Sequence, residues 1–282
     1  MKQVSTAIEL QEALASMRKA GATIGLTPTM GALHAGHLAL LRKCLEEGHQ
    51  AVASIFVNPL QFGPGEDYTR YPRTLEADAA LLEKTGAHLL YTPSEKEIYP
   101  QGQGEHLHVK AIGDHLEGKF RPGHFDGVAT VVARLFSQVQ PDAAYFGEKD
   151  WQQLQLIKQL VRDLNLNIHI IGVPIVREAD GLALSSRNRY LSAEDRRKAP
   201  LIHITLRALA EDIRADPKNV DTHLVRAAKG LSENGFRLDY LELADETSCT
   251  PVTSPGRDRH KPLRLFIAAH LGNTRLIDNW AV

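Results

Sequence analysis

The stretch "PTMGALHAGHLALL", residues 28–41, decides how the chain is read. It follows the apolar run "ATIGLT" at 22–27, which reads as a buried strand, and it passes into a helical pattern over 34–48 that stops at Gly48. Residues 28–33 between them form a tight turn, with Gly31 available for close backbone approach. The first amides of a helix lack intrahelical partners and the dipole is positive there, so this end is suited to an anion. His34 and His37 stand three apart and share a helix face, with Gly36 between them leaving space for a flat or bulky ligand. Two imidazoles beside a phosphate donate hydrogen bonds to charge that grows during phosphoryl or nucleotidyl transfer. A pair of surface histidines and a zinc pair are the competing readings, the second without a third ligand at a familiar spacing.

Outward from this stretch, short apolar runs alternate with helical patterns. Strands are expected over 51–57, 87–92, 142–147 and 168–174, and helices over 74–86, 125–140 and 151–165. An earlier amphipathic helix carries Leu10, Leu14 and Met17 on one face, with Ser5 or Thr6 as its cap. The alternation predicts an α/β fold, a Rossmann-like doubly wound parallel sheet, in which ligands bind beyond the carboxyl ends of the strands. After Pro174 the rhythm changes to helices near 193–215 and 220–234, then strands over 236–243, 262–272 and 274–279. The predicted organisation is a Rossmann-like nucleotide-binding domain at 1–175 and a smaller α+β domain at 176–282, with the turn-rich stretch 247–262 as a mobile surface loop.

Bulk properties exclude several classes. Of the 282 residues, 43% are hydrophobic, enough for a substantial core. A net charge of −1 provides no global basic field for nucleic acid. No stretch approaches the ~20 apolar residues of a membrane span, and the amino terminus has no apolar leader core, so a cytoplasmic protein is expected. Cys44 and Cys249 fit neither a CxxC nor a zinc spacing and read as two reduced thiols.

The strand–turn–HxGH pattern resembles the HIGH motif of the nucleotidyltransferase superfamily. Four further stretches sharpen the likeness: "SIFVNPLQF" (54–62), "YPRT" (71–74), "FGEKDWQQL" (146–154) and "GLALSSRNRYLS" (181–192). In this order and spacing they resemble the pantothenate synthetase family, ligases that join pantoate to β-alanine. The likeness is dense from Thr27 to Ser192 and continues weakly to "DYLEL" and "TRLIDN".

The residues themselves suit such chemistry. Asn58 and Gln61 are amides at a strand's carboxyl end, fit for a substrate with hydroxyls and a carboxylate, though turn chemistry around Pro59 also explains Asn58. Lys149 is a cation near a second strand–glycine–helix turn, and Asp150 suits an N-cap or a ligand hydroxyl. Ser185, Ser186 and Arg187 offer hydroxyls and a guanidinium fork to oxyanions, or a simple helix cap. Arg121 and His124 belong to a basic, glycine-rich stretch that suits either a cleft wall or loop structure.

The resemblance implies more. ATP is expected at Met30, Gly31, Ala32, Leu33, His34, Ala35, Gly36 and His37, at Gly147, Glu148, Lys149 and Asp150, and at Val176, Leu184, Ser185, Ser186 and Arg187. Pantoate is expected at Gln61 and Gln153, with β-alanine at Gln61 and Asn58 nearby. His37 is expected as proton donor, with His34, Lys149 and Arg187 as further catalytic groups. Mg²⁺ is expected with ATP, and Asp78, or Glu76 in its place, is the candidate metal ligand. A homodimer is implied, as are a pantoyl-adenylate intermediate and a lid role for the second domain. The rivals are another HxGH adenylyltransferase of cofactor biosynthesis and a non-catalytic nucleotide sensor. Product analysis and pantoate-dependent ATP–pyrophosphate exchange separate them.

Overall fold

A computed structural model describes residues 1–104, 106–252 and 261–282 of the chain. The chain opens with β1 (Lys2–Val4), α1 (Ala7–Lys19), β2 (Ile24–Thr29), α2 (Ala35–Glu46), β3 (Gln50–Ile55) and α3 (Leu75–Thr85). It continues through β4 (Leu89–Tyr91), α4 (Glu95–Ile98), α5 (Glu117–Phe120), α6 (His124–Val139), β5 (Ala143–Gly147), α7 (Trp151–Asp163) and β6 (His169–Val173). The remainder is α8 (Ala193–Lys198), α9 (Leu201–Ala215), α10 (Val220–Glu233) and the strands β7 (Phe236–Asp245), β8 (Leu263–Leu271) and β9 (Thr274–Ala281). Among the described residues no helix is long and apolar enough to cross a membrane.

Two compact units result. The first comprises Met1–Val109, Arg121–Glu148 and Leu156–Pro174; the second comprises Lys110–Phe120, Lys149–Gln155 and Ile175–Val282. The sequence reading places a single cut after residue 175, whereas two short stretches ahead of it also join the second unit. Side-chain chemistry explains this. The Gln152 amide donates to the carbonyls of Ile112 and His115 and accepts from the Glu117 N–H. Glu117 in turn receives two bonds from the Arg275 guanidinium and one from the Tyr240 hydroxyl, at 2.7–2.8 Å.

The first unit is built on a six-stranded parallel sheet of order β1-β4-β3-β2-β5-β6. The chain winds outward from β2 through β3 to β4, then returns to place β5 on the other side of β2. That reversal is a topological switch point, and the crevice beyond the carboxyl ends of β2 and β5 is where such sheets take ligands. The turn of residues 30–34 leaves one of these strands and Glu148 begins the turn after the other.

α2 covers this part of the sheet. Leu38, Leu40, Leu41 and Cys44 pack with Ala51 and Ala53 of β3, Leu90 of β4 and Ala143 and Tyr145 of β5. Gly25 sets the approach of helix to sheet: a Cβ there would stand 2.3 Å from Cys44 Sγ and 3.0 Å from His49 Cβ. α1 is capped by Thr6 rather than Ser5, through a capping box with Glu9. β1 was not anticipated. Three residues cannot display a period of two, and the strand exists because β4 offers it a parallel edge.

The second unit packs α9 and α10 on the antiparallel sheet β7-β8-β9, around Leu206, Leu209, Ile213, Leu231, Leu265 and Ile267. The helix expected over 193–215 is two helices, α8 and α9, separated at Ala199 and Pro200. Proline lacks the amide a continuous helix would need there. Half of the turn-rich stretch expected as a mobile loop, residues 253–260, lies outside the described residues. Burial pushes both thiols, Cys44 and Cys249, up to about 12, so they persist as inert apolar groups.

Gly25→Ala is expected to lower the unfolding free energy by about 1–3 kcal/mol through overpacking against Cys44. Adding Cys44→Ala should recover part of that loss, a non-additivity read by urea denaturation of the single and double variants.

Candidate active site

The turn before α2 is organised by buried amides that need acceptors. Gly31 has φ +83° and Ala32 has φ +50°, both in the left-handed region. This conformation aims the N–H groups of Ala32 and Leu33 at one carboxylate, that of Asp78, at 2.9 and 2.8 Å. Asp78 is 2% exposed and also accepts the Thr74 hydroxyl at 3.0 Å.

His34 is the N-cap of α2, with extended backbone at φ −138°, ψ 176°. Its Nδ1 accepts the Gly36 N–H at 3.1 Å, while His37 Nδ1 accepts the His34 N–H at 3.3 Å. The pair makes a reciprocal capping box from two imidazoles, a role usually filled by a hydroxyl and a carboxylate. An imidazole whose Nδ1 accepts is, when neutral, protonated on Nε2. The two rings lie with centroids 4.1 Å apart and an interplanar angle of 33°. Both residues are half-buried. Each ring is thus an oriented Nε2–H donor at the positive end of a helix.

Gly36 has a role the sequence did not suggest. A Cβ there would stand 2.8 Å from His34 Cε1 and 2.9 Å from its Nδ1. The glycine makes room for the His34 ring itself, beyond any room it leaves for a ligand.

Asn58 and Gln61 separate into different tasks. Asn58 is 1% exposed and its amide is occupied within the protein. Its Nδ2 donates to the Gly127 carbonyl at 3.1 Å and to Gln61 Oε1 at 3.2 Å, and its Oδ1 accepts from the Tyr99 hydroxyl at 2.8 Å and the Leu60 N–H at 3.3 Å. Burial pushes the Tyr99 phenol well above its ordinary value, keeping it a donor. Gln61 is only half-buried, and its Nε2 reaches Met30 Sδ at 3.2 Å. Its backbone carbonyl accepts from the His124 ring at 2.8 Å and from Arg121 at 3.4 Å, while Arg121 is held by Glu66 at 2.7 and 2.8 Å. Asn58 therefore orients Gln61 from the side-chain end, and His124 with Arg121 does so from the backbone. Gly127 permits this packing, because a Cβ there would stand 2.4 Å from the Leu60 carbonyl oxygen.

Lys149, Asp150, Gln153, Val176 and Leu184 to Arg187 belong to the second unit, whereas Met30 to His37, Asn58, Gln61, Gly147 and Glu148 belong to the first. The Lys149 carbonyl accepts from the Asn279 amide at 3.0 Å. Asn279 Oδ1 takes a 2.6 Å bond from Arg264, whose guanidinium lies 3.5 Å from the centre of the Trp151 ring. The 176–184 stretch is a tight hairpin in which the Leu184 N–H donates to the Val176 carbonyl at 3.0 Å. Arg177 holds it, bonded to Asp278 at 2.6 and 2.9 Å and to the Gly181 carbonyl at 3.0 Å. Ser185 Oγ accepts the Arg187 N–H at 3.2 Å, so the cap expected for this segment is present, on the short 3₁₀ turn Ser186–Tyr190. Asn279, Asp278, Arg264 and Arg177 were missed as supporting residues. The only sequence signal was "TRLIDN", far from the segments it supports.

Asp78 is committed to protein donors rather than presented to a metal ion. Both of its oxygens are engaged by the turn and by Thr74, and the neighbouring candidate, Glu76, is exposed. Among the described residues no three His, Cys, Asp or Glu side chains are grouped to hold a metal ion. The protein groups among the described residues do not fit a Mg²⁺ cage.

The capping box predicts a spectroscopic signature. Long-range ¹H–¹⁵N spectra of the neutral rings should show the Nε2–H tautomer for both His34 and His37. Gly36→Ala should abolish it for His34, and an unchanged His34 pattern would count against the geometry.

Comparisons with known proteins show the family. The family model for pantoate–β-alanine ligase matches residues 2–281. A pantothenate synthetase of Pseudomonas paraeruginosa is 52% identical, covering 100% of this chain and 99% of the relative, and one of Acidiphilium cryptum is 49% identical over 100% of both. The crystal structure of pantothenate synthetase from Thermus thermophilus superposes with a TM-score of 0.90 at 47% identity, covering 99% of each chain. A pantoate–β-alanine ligase from Francisella tularensis, solved in complex with β,γ-ATP and β-alanine, superposes at 0.80 with 36% identity, over 100% of this chain and 97% of that one. The chain belongs to the pantoate–β-alanine ligase family.

Proposed function

We propose that the chain condenses (R)-pantoate with β-alanine at the expense of ATP, through a pantoyl-adenylate intermediate. The observation that carries this is the imidazole pair at the start of α2, with each Nδ1 tied to a backbone amide. In the first step the pantoate carboxylate attacks the α-phosphorus and pyrophosphate leaves. Negative charge grows on the phosphoryl oxygens and on the leaving group. His34 and His37 donate from Nε2 to that charge, and the amino-terminal pole of α2 adds its dipole. Lys149, Ser185, Ser186 and Arg187 are assigned to the triphosphate, as a cation, two hydroxyls and a guanidinium fork. Met30 to Gly36, Gly147 to Asp150, Val176 and Leu184 complete the proposed nucleotide contacts.

In the second step the amine of β-alanine attacks the acyl carbon of the adenylate. Pantothenate and AMP result, and no residue needs to bond covalently to substrate. Gln61 and Gln153 are assigned to pantoate, with Asn58 placed behind Gln61 rather than against substrate. The chemistry Mg²⁺ supplies when bound is neutralisation of phosphate charge, and such ions are held chiefly by phosphates and water. No step here depends on a protein ligand to it.

Pantoate-dependent ATP–pyrophosphate exchange tests the adenylation step. His37→Ala should lower the exchange rate by about 100-fold, the scale of removing one transition-state donor. A near-normal rate would remove His37 from the mechanism, and AMP formation independent of β-alanine would remove the ligase reading of the second step. Gly127→Ala displaces the segment that carries Gln61, so KM for pantoate should rise about 10-fold, roughly 1.4 kcal/mol of binding. KM for ATP should stay close to the wild-type value.

A further inference from the structure

We infer that Asp78 is a positioning residue for the catalytic pole of α2, setting the turn from which His34 and His37 are presented. The inference rests on the proposed role of those histidines. Three donors converge on this one buried carboxylate, two of them successive backbone amides of the turn. Successive N–H groups aimed at one point form a nest for an anion. Here the chain fills the nest with its own carboxylate.

Two observations show that the surrounding backbone is adapted to this contact. Ala32 adopts a left-handed conformation, uncommon for a residue with a side chain, and its N–H points at Asp78 Oδ2. A Cβ at Gly31 would stand 3.1 Å from that same oxygen, so the glycine leaves it room. Thr74 is the N-cap of α3, yet its side chain caps none of the backbone amides of that helix. Its hydroxyl goes to Asp78 instead. The start of α3 is thereby tied to the residues immediately before His34.

An uncharged side chain cannot reproduce this. An asparagine has one carbonyl oxygen, and its NH₂ group would meet one of the two backbone N–H donors head-on. One buried amide would lose its acceptor, and the turn would relax away from the geometry that begins α2.

The test is a mutant cycle read by pantoate-dependent ATP–pyrophosphate exchange, with Asp78→Asn, Thr74→Val, His37→Ala and each of the first two combined with His37→Ala. Asp78→Asn should lower the exchange rate by about 10- to 100-fold. In the His37→Ala background its penalty should shrink several-fold, because residues acting as a unit are not additive. Thr74→Val keeps both amide contacts and should show a smaller, about 3-fold loss that also shrinks in that background. It keeps the inference falsifiable should Asp78→Asn fail to fold.

Equal penalties in both backgrounds would mean a general structural role and overturn the inference. Wild-type exchange in Asp78→Asn would overturn it too. A raised Mg²⁺ requirement in Asp78→Asn, with otherwise normal turnover, would restore a metal role in its place. Normal exchange in His37→Ala would instead defeat the functional reading, an outcome distinct from these.

Discussion

The organising constraint of the larger unit is the demand of buried backbone amides for acceptors where a strand gives way to a helix. Regular structure leaves the first amides of α2 and those of the preceding turn without partners. Four of them are met by three side chains. Asp78 takes Ala32 and Leu33, His34 takes Gly36, and His37 takes His34. Two of the three acceptors are the histidines to which catalysis is assigned. Folding and the proposed chemistry therefore use the same two rings through different atoms: each Nδ1 stabilises the helix start, and the ring proton is left on Nε2.

The second unit solves a related problem with charge. Apart from Gln153 on α7, its functional candidates lie on short irregular segments. Long-range polar contacts hold them: Asn279 and Arg264 around Lys149, and Arg177 with Asp278 around the 176–184 hairpin. Both arrangements draw on β9, which contributes adjacent Asp278 and Asn279. One strand thus supports two segments that are separated by about thirty residues in sequence.

Much of this was legible in the chain. The alternating apolar runs identify five of the six strands of the parallel sheet within a few residues, because buried strands and amphipathic helices leave distinct periods. HxGH after a strand points to the α2 pole as the candidate site, because two imidazoles at the positive end of a helix suit an anion. What failed did so for physical causes. β1 is too short to carry a pattern, and the helix expected over 193–215 breaks where Pro200 cannot donate. Gly36 and Asn58 suggested contact with a ligand, but the steric and hydrogen-bond partners that define them here are His34, Gly127, Tyr99 and Gln61.

The sequence by itself determined most of the elements, the winding of the larger unit and the side chains proposed for the chemistry, since each is written in local spacing and residue type. Only the tertiary structure decided which atom of each side chain is engaged. It turned Asp78 from a candidate metal ligand into the acceptor for a turn 45 residues away, and it chose the tautomer of two imidazoles. Hydrogen bonding is directional and short-ranged, so its partners exist only once distant segments have been brought within about 3 Å of one another.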